Sequence, residues 1–167
     1  MDIGAINVLI LDVDGVLTPG DVTFDETLRR SMSFNIHDGC AIGVWRRVGH
    51  RLAILSGRRS PIVQERAAEL GIDKIRQGVV DKGGELGTLL SEMGATQDST
   101  CYIGDDLTDI EPIRRCGFGV AVADAVPTVK RWAQYVTRRG GGAGAVAEVI
   151  ELILRKQQRW TSSIVGT

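Results

Sequence analysis

Short apolar runs alternate along the chain with stretches in which apolar residues recur every three or four positions. The first run, from Ile6 to Leu11, is apolar at almost every position, which is typical of a parallel strand buried on both faces. The pattern predicts further strands at 51–55, 74–77, 101–103, 119–122 and 135–137, and helices around 41–48, 63–70, 86–93, 108–115, 126–133 and 146–154. This alternation indicates repeated βα units and an α/β fold in a single domain over 1–167.

One segment breaks the βα alternation. Between Thr18 and Asn35, apolar and polar residues alternate on either side of a turn at 25–27, which predicts a β-hairpin insertion over 18–35. The apolar positions of the hairpin are Val22, Phe24, Met32 and Phe34. Because a lone two-stranded hairpin is marginally stable in water, this apolar face needs a partner surface. The sequence leaves two partners open, the body of the same domain or another subunit.

Charge and composition limit the classes of molecule that the protein is expected to bind. The chain has 20 basic and 21 acidic residues and a net charge of -1, so no overall field attracts nucleic acid or an anionic membrane. The apolar runs are too short to span a bilayer, and we expect neither nucleic acid nor membrane as a partner. Three cysteines without metal-site spacing, and no basic leader, predict a cytoplasmic protein with reduced core thiols. The polar end of the chain predicts a mobile tail over 156–167.

Two carboxylates stand at the end of the first predicted strand. Asp12 and Asp14 flank one residue, and side chains alternate along a strand, so both should leave on the same side. Ligands of open α/β sheets bind beyond the carboxyl ends of the strands. The pair would therefore suit a nucleophile and an acid-base that share a divalent cation, although polar residues also occur at strand ends without a catalytic role.

Reactive side chains also follow later predicted strands: Ser56, Lys82, Asp105, Asp106 and Asp109. Phosphoryl transfer needs a nucleophile, a cation, donors around the phosphate and an acid for the leaving group. Asp12 and Asp105 offer the hard oxygen ligands that Mg²⁺ prefers, whereas Ser56, the amides near Gly57 and Lys82 would hold the phosphate. Taken singly, these residues would also suit a helix cap, a solvated lysine and helix N-terminal charges. Their ordered co-occurrence favours the catalytic interpretation.

On these residues the chain resembles the haloacid dehalogenase-like phosphohydrolase superfamily. The four motifs of that superfamily match 12–18, Ser56, Lys82 and 104–109. Within it, the chain from about Ile6 to Leu154 is similar to phosphatases of the eight-carbon sugar acid 3-deoxy-D-manno-octulosonate 8-phosphate, through the strings at 34–39, 56–58, 77–82, 121–125 and 141–146.

The resemblance implies a fold, a reaction and an assembly. The fold is a Rossmann-like parallel sheet sandwiched by helices, with a β-hairpin insertion after the first strand and no large cap domain. The reaction is Mg²⁺-dependent hydrolysis of a phosphorylated sugar acid through an aspartyl phosphate, in lipopolysaccharide precursor synthesis. The assembly is a homotetramer in which the hairpins pack together and neighbouring subunits cover each active site.

The resemblance also implies roles for individual residues. The metal would be held by Asp12, Asp105 and the backbone carbonyl of Asp14, with Asp106 and Asp109 behind them. Substrate contacts carry over onto Asn35, His37, Asp38, Gly39, Arg58 and Arg66.

Two of these substrate contacts suit the carboxylate of a sugar acid. Arg58 and Arg66 would bind it because a guanidinium presents a planar fork of donors, although a solvated helix face also suits Arg66. Related nine-carbon sugar-acid phosphatases tend to carry an acidic residue at position 58, so Arg58 favours the eight-carbon acid. Three alternatives stay open: another phosphorylated sugar, a nine-carbon sugar acid, and a non-enzymatic phospho-receiver module.

Overall fold

A computed structural model describes residues 2–24, 26–27, 30–72 and 74–160. The strands are β1 (Val8–Leu11), β2 (Thr23–Phe24), β3 (Arg30–Ser31), β4 (Arg51–Ser56), β5 (Lys74–Gln77), β6 (Thr100–Gly104), β7 (Phe118–Ala121) and β8 (Tyr135–Val136). The helices are α1 (Ile36–Arg47), α2 (Pro61–Leu70), α3 (Lys82–Glu92), α4 (Ile110–Arg115), α5 (Pro127–Trp132) and α6 (Ala145–Lys156), with 3₁₀ turns at Ile3–Ala5 and Leu107–Asp109. Six strands form one parallel sheet in the order β5-β4-β1-β6-β7-β8. The predicted α/β fold without a large cap is confirmed.

The register of the central strands brings the reactive residues together. Leu11, the last residue of β1, pairs with Ile54 of β4 on one side and with Ile103 of β6 on the other. All these pairs are parallel, so the three strands present their carboxyl ends at the same edge of the sheet. Asp12 and Asp105 therefore emerge side by side at this edge.

The core is continuous through the sheet and the helices that cover it. Every residue of β1, β6 and β7 is buried, as expected for parallel strands covered on both faces. The helix α6 packs on α1 and buries one apolar face, which consists of Ala145, Val146, Val149, Ile150, Ile153 and Leu154. A stripe of this spacing stabilises a helix by tertiary packing more than by intrinsic propensity.

A glycine-rich segment at 140–144 lies against the turn that follows β1. Gly141 approaches this turn so closely that a Cβ there would collide with the carbonyl oxygen of Gly15. The backbone N–H of Gly142 donates to the carbonyl oxygen of Val16 at 2.9 Å. The turn that carries Asp12 and Asp14 is thus held by a segment whose close approach requires glycine at 141 and 142.

The start of α1 ties the same segment to α6. Asn35 caps α1 by accepting a hydrogen bond from the N–H of His37 at 2.8 Å, and its amide donates to the carbonyl oxygen of Gly142 at 3.3 Å. The carboxylate of Asp38, which is buried, accepts from the N–H of Ala147 at 2.7 Å in the first turn of α6. These two side chains therefore join α1, α6 and the glycine-rich segment.

The insertion after β1 contains a short antiparallel pair. Strands β2 and β3 pair through two positions, whereas residues 25, 28 and 29 of the predicted hairpin lie outside the described part of the chain. Met32 and Phe34 are partly buried against the core, but Val22 and Phe24 remain 46% and 52% exposed. Half of the apolar face thus packs on its own domain, and the other half, Val22 and Phe24, faces outward.

The described end of the chain contacts the start. The side-chain amide of Gln157 donates to the carbonyl oxygen of Ile6 at 2.6 Å, and 161–167 of the predicted tail lie outside the described residues. Cys101 and Cys116 are buried, as predicted, whereas Cys40 is exposed, so the expectation that all three are core thiols was wrong. In the described ranges, no helix has the length and apolar character needed to cross a bilayer.

We expect Gly141→Ala to lower the free energy of unfolding by about 1 to 3 kcal/mol, because the added methyl group must displace the backbone of the turn after β1. Gly87→Ala is the matched control. Gly87 lies inside α3 with open space where a Cβ would stand, so this change should stabilise by about 0.5 to 1 kcal/mol. Urea unfolding followed by circular dichroism measures both, and equal stability of the two variants would contradict the tight contact.

Candidate active site

A buried lysine between two carboxylates forms the centre of the site. Lys82, the first residue of α3, places its Nζ 2.9 Å from Oδ2 of Asp12 and 2.7 Å from Oδ1 of Asp109. Its side chain is only 2% exposed, which excludes the solvated-lysine alternative. A charge at this depth is stable only when it is paired, so the three side chains fix one another.

Asp109 is buried and does not line the cleft; its carboxylate holds the neighbouring groups of the site in position. Its Oδ1 accepts from Lys82 and from the hydroxyl of Tyr102 at 2.6 Å, and its Oδ2 accepts from the N–H groups of Asp105 at 3.0 Å and Asp106 at 3.1 Å. Both oxygens are therefore fully engaged.

Sequence reasoning missed the role of Tyr102. The sequence signal for it is a tyrosine, whose hydroxyl needs a hydrogen-bond partner when buried, within the otherwise apolar strand β6.

Asp12 and Asp105 are the residues that fit a metal ion. Carboxylate oxygens of Asp12, Asp105 and Asp109 all lie within 4.8 Å of one another. Asp109 is saturated by donors, whereas Oδ1 of Asp105 is buried with no hydrogen-bond partner among the described residues. Gly15, with φ of 83°, lets the backbone approach Asp105, because a Cβ there would collide with that carboxylate. Hard oxygen donors with an unpartnered oxygen suit Mg²⁺.

Unlike Asp12 and Asp109, Asp106 is exposed at the surface of the site. Its carboxylate is exposed and accepts from the N–H of Leu107 at 2.7 Å, which caps the 3₁₀ turn at Leu107–Asp109. The helix-charge alternative thus describes its side chain well, while its backbone N–H is the part that contacts Asp109.

Burial and mutual repulsion shift the acidity of the cluster. Burial, followed by the charge of Asp109, raises the pKa of Asp12 to about 7. Burial, followed by the charges of Asp12 and Asp109, raises the pKa of Asp105 to about 8. Burial alone would lower the pKa of Lys82, but the charges of Asp12 and Asp109 outweigh it and raise that pKa. One cation among three carboxylates leaves excess negative charge, which favours a second cation.

Asp14 and Arg58 line the open side of the site, whereas Ser56, the last residue of β4, is buried and lines a neighbouring cavity. The carboxylate of Asp14 is 33% exposed, and its Oδ1 lies 3.6 Å from Nη1 of Arg58. Ser56 is buried and its hydroxyl accepts from the N–H of Arg58 at 3.3 Å. The helix-cap alternative for Ser56 is wrong, because Ser60 occupies the N-cap position of α2.

Asp14 and Arg58 join the buried acidic cluster around a cavity of about 390 Å³, the catalytic cleft. The predicted site residues that line the catalytic cleft are Asp12, Asp14, Gly57, Arg58, Lys82, Asp105 and Asp106. The cleft thus combines the buried carboxylate of Asp12, the exposed carboxylate of Asp14, Lys82, and the candidate cation ligand Asp105. This arrangement provides the parts that phosphoryl transfer requires.

The remaining predicted substrate contacts lie outside the catalytic cleft. Asn35 and Asp38 hold α1 to α6, as described above, and His37 is exposed beside them. Arg66 pairs with Glu69 at 2.9 Å and lies over the ring of Phe34 at 5.6 Å. Gly39 lies against the guanidinium of Arg66. One subunit alone therefore does not join this group to Asp12.

Comparison with known proteins identifies close relatives. Residues 74–150 match the family model described as haloacid dehalogenase-like hydrolase. The chain is 38% identical to the 3-deoxy-D-manno-octulosonate 8-phosphate phosphatase of Haemophilus influenzae, over 97% of this chain and 89% of that protein. It is 40% identical to the Escherichia coli K12 enzyme of the same name, over 91% of this chain and 81% of that protein.

A solved structure shows the same likeness in three dimensions. The 3-deoxy-D-manno-octulosonate 8-phosphate phosphatase of Moraxella catarrhalis, in complex with magnesium ion, phosphate ion and KDO, superposes with a TM-score of 0.95. The two sequences are 36% identical, and the match covers 98% of this chain and 94% of that one.

We expect Mg²⁺ affinity to fall as the pH is lowered from 8 to 6. Asp12 and Asp105 have pKa values raised to about 7 and about 8, so below these values each carries a proton that must leave before the metal binds. The dissociation constant should rise up to about tenfold per pH unit for each proton displaced. Isothermal titration calorimetry at fixed ionic strength measures this, with Asp105→Asn as the control that loses binding at every pH. A flat affinity between pH 6 and 9 would contradict the assignment.

Proposed function

Because the chain belongs to the 3-deoxy-D-manno-octulosonate 8-phosphate phosphatase family of haloacid dehalogenase-like hydrolases, we propose that it hydrolyses this sugar-acid phosphate to the free acid and phosphate. The observation that carries the proposal is the buried Lys82 between Asp12 and Asp109, with Asp105 and Asp14 at the same edge of the sheet. The reaction would serve lipopolysaccharide precursor synthesis in the cytoplasm.

In the proposed mechanism, Asp12 is the nucleophile. Its carboxylate attacks phosphorus, the bond from phosphorus to the sugar oxygen breaks, and Asp14 donates a proton to that leaving oxygen. Asp14 then accepts a proton from water as the water attacks the aspartyl phosphate, which releases phosphate and restores Asp12. Support comes from the position of Asp14, whose carboxylate is 33% exposed on the side of the cleft that substrate and water reach.

The other residues of the site would supply counter-charge and keep the reacting groups in position. Lys82 would oppose the rise that burial causes in the pKa of Asp12 and would face the phosphate, while Ser56 and the backbone at Gly57 would complete the cradle around the phosphate. Asp12, Asp105 and the backbone carbonyl of Asp14 would hold Mg²⁺, which when bound neutralises the phosphate oxygens. Asp109 acts by fixing Lys82 and the N–H groups of Asp105 and Asp106.

The substrate contacts from α1 and α2 fit an assembly better than a single subunit. Arg58 lines the catalytic cleft directly. Asn35, His37, Asp38, Gly39 and Arg66 do not line it, so as substrate contacts they would act on the cleft of a neighbouring subunit. We therefore propose the homotetramer that the family resemblance implies, with the exposed Val22 and Phe24 of the hairpin in its interface.

The central test is phosphate release from 3-deoxy-D-manno-octulosonate 8-phosphate with and without Mg²⁺, beside a panel of sugar phosphates and a nine-carbon sugar-acid phosphate. We expect the eight-carbon acid to have the highest kcat/KM and the activity to disappear with chelator. Asp12→Asn should abolish turnover while leaving the fold intact, because it removes the nucleophile at constant volume. Turnover of this variant within a few-fold of wild type would exclude Asp12 as nucleophile.

Asp14→Asn distinguishes the role of Asp14 from that of Asp12 in the same experiment. This variant should also lose turnover, but the phosphoenzyme should form and persist, because the water lacks its base. Mass spectrometry after brief exposure to substrate detects the added phosphate on Asp12. Its absence in a folded Asp14→Asn variant would indicate that Asp14 does not act in the second step.

Charged substitutions at the hairpin test the assembly. We expect Val22→Glu with Phe24→Glu to yield a smaller species and to lower activity together, because both side chains would leave an apolar interface. Trp132→Glu on α5 is the matched control, since Trp132 is similarly exposed at 48%. Light scattering at micromolar concentration measures the mass. A monomeric wild-type protein would contradict the proposed interface.

A further inference from the structure

One loop outside the catalytic cleft contacts both halves of the candidate cation site. It connects β7 to α5 over residues 122–126, and we call it the bracing loop. None of these residues lines the catalytic cleft. The first half of the cation site is Asp105, which follows β6, and the second is the turn after β1, which carries Asp12 and Asp14. The bracing loop therefore acts on the site through other residues.

The first contact of the bracing loop holds the backbone of Asp105. The N–H of Val126 donates to the carbonyl oxygen of Asp105 at 2.9 Å, and the N–H of Asp105 donates to Oδ2 of Asp109 at 3.0 Å. The peptide groups on both sides of Asp105 are thus hydrogen-bonded, which fixes the direction in which its side chain leaves the backbone. Oδ1 of that side chain has no hydrogen-bond partner among the described residues, so the backbone contacts set its position.

The second contact holds the turn after β1 through the glycine-rich segment. Oδ1 of Asp124 accepts from the N–H of Gly141 at 2.9 Å. Gly141 packs on the carbonyl oxygen of Gly15, where a Cβ would collide with it. Gly15 in turn lies against the carboxylate of Asp105 and directly follows Asp14 in the chain. Asp124 therefore helps to set the distance between the carbonyl of Asp14 and Asp105.

The bracing loop is itself anchored beside Asp124. The N–H of Ala123 donates to Oγ1 of Thr137 at 3.0 Å and to the carbonyl oxygen of Arg139 at 3.2 Å. Gly140 leaves room for the exposed carboxylate of Asp124, since a Cβ there would collide with it. The carboxylate therefore extends from a fixed backbone, and its hydrogen bond can hold a second segment in place.

We propose that Asp124 is a positioning residue for the Mg²⁺ site. Together with the N–H of Val126, its carboxylate fixes the spacing between Asp105 and the turn that carries Asp12 and the carbonyl of Asp14. Mg²⁺ demands near-ideal octahedral geometry with oxygen ligands at about 2.1 Å, so a small shift of either half weakens binding. This inference rests on the Mg²⁺ site of the proposed function and adds to it a residue outside the cleft.

Mg²⁺ binding without substrate tests the positioning role by isothermal titration calorimetry at fixed pH and ionic strength. Asp124→Ala should raise the dissociation constant roughly 10-fold, the lower end of the range for groups that hold metal ligands in place. Asp124→Asn keeps an acceptor oxygen for the N–H of Gly141 and should stay within about threefold of wild type. Val126→Pro tests the other contact. The φ of Val126 is -59°, which a proline ring accepts, and the loss of its N–H should also weaken binding.

The Mg²⁺ dependence of turnover provides a second readout. The Mg²⁺ concentration for half-maximal phosphate release from para-nitrophenyl phosphate should rise in Asp124→Ala by the same factor as the dissociation constant. At saturating Mg²⁺ the kcat of this variant should return close to that of wild type, because Asp12 and Asp14 are unchanged. A kcat that stays low at saturating Mg²⁺ would overturn a role confined to the cation site.

Two controls separate positioning from surface charge and from stability. Asp98→Ala removes an exposed aspartate from the loop before β6, at the opposite edge of the sheet. Ile153→Val removes one buried methyl group from α6 and lowers stability away from the site. Both variants should bind Mg²⁺ as wild type does.

The outcomes separate the inference from the function on which it rests. If wild type binds no Mg²⁺, the metal site of the proposed function fails and the inference fails with it. If wild type binds Mg²⁺ and Asp124→Ala binds it equally well, only the positioning role is overturned. Equal losses in Asp124→Ala and Asp124→Asn also overturn it, because the carboxylate would then act by its charge. An equal loss in Ile153→Val overturns it as well, because general stability would then set the affinity.

Discussion

The ion pair between Lys82 and its two carboxylates is the interaction on which the rest of the site depends. A lysine that is 2% exposed would be costly without Asp12 at 2.9 Å and Asp109 at 2.7 Å. The same contacts couple three parts of the chain, the end of β1, the start of α3 and the turn after β6. Removal of Lys82 would leave the buried carboxylates of Asp12 and Asp109 without their shared counter-charge, so this lysine couples the positions of the three elements.

Glycines and caps around this ion pair set the position of the backbone. Gly15 admits the carboxylate of Asp105, and Gly141 packs directly on the carbonyl of Gly15. Asn35 and Asp38 then hold the glycine-rich segment to α1 and α6. A chain of contacts thus runs from the first turn of α6 to Asp12, the proposed nucleophile, and the precise position of this carboxylate derives from packing well behind it.

Much of the fold and of the catalytic cluster follows from local sequence. Apolar runs predicted the parallel strands, and a strand that ends in two aspartates predicted Asp12 and Asp14 at the sheet edge. Features that depend on tertiary contacts were not predictable in this way. The role of Tyr102, the engagement of Asp38 with Ala147, and the contact of Asp124 with Gly141 join residues far apart in the chain. Among the described residues of the hairpin, two of each strand pair, and Met32 and Phe34 pack against the core.

The strand order has a consequence for how the protein reaches its active state. Asp12, the proposed nucleophile, follows β1, yet β1 pairs on one side with the much later strand β6, where Val8 meets Thr100. Loop closure over such separations is slow, and the long-range pairing must precede any contact among the reactive carboxylates. The pair Asp12 and Asp105 therefore requires the central sheet, and local structure that forms without the pairing of β1 and β6 leaves the site incomplete.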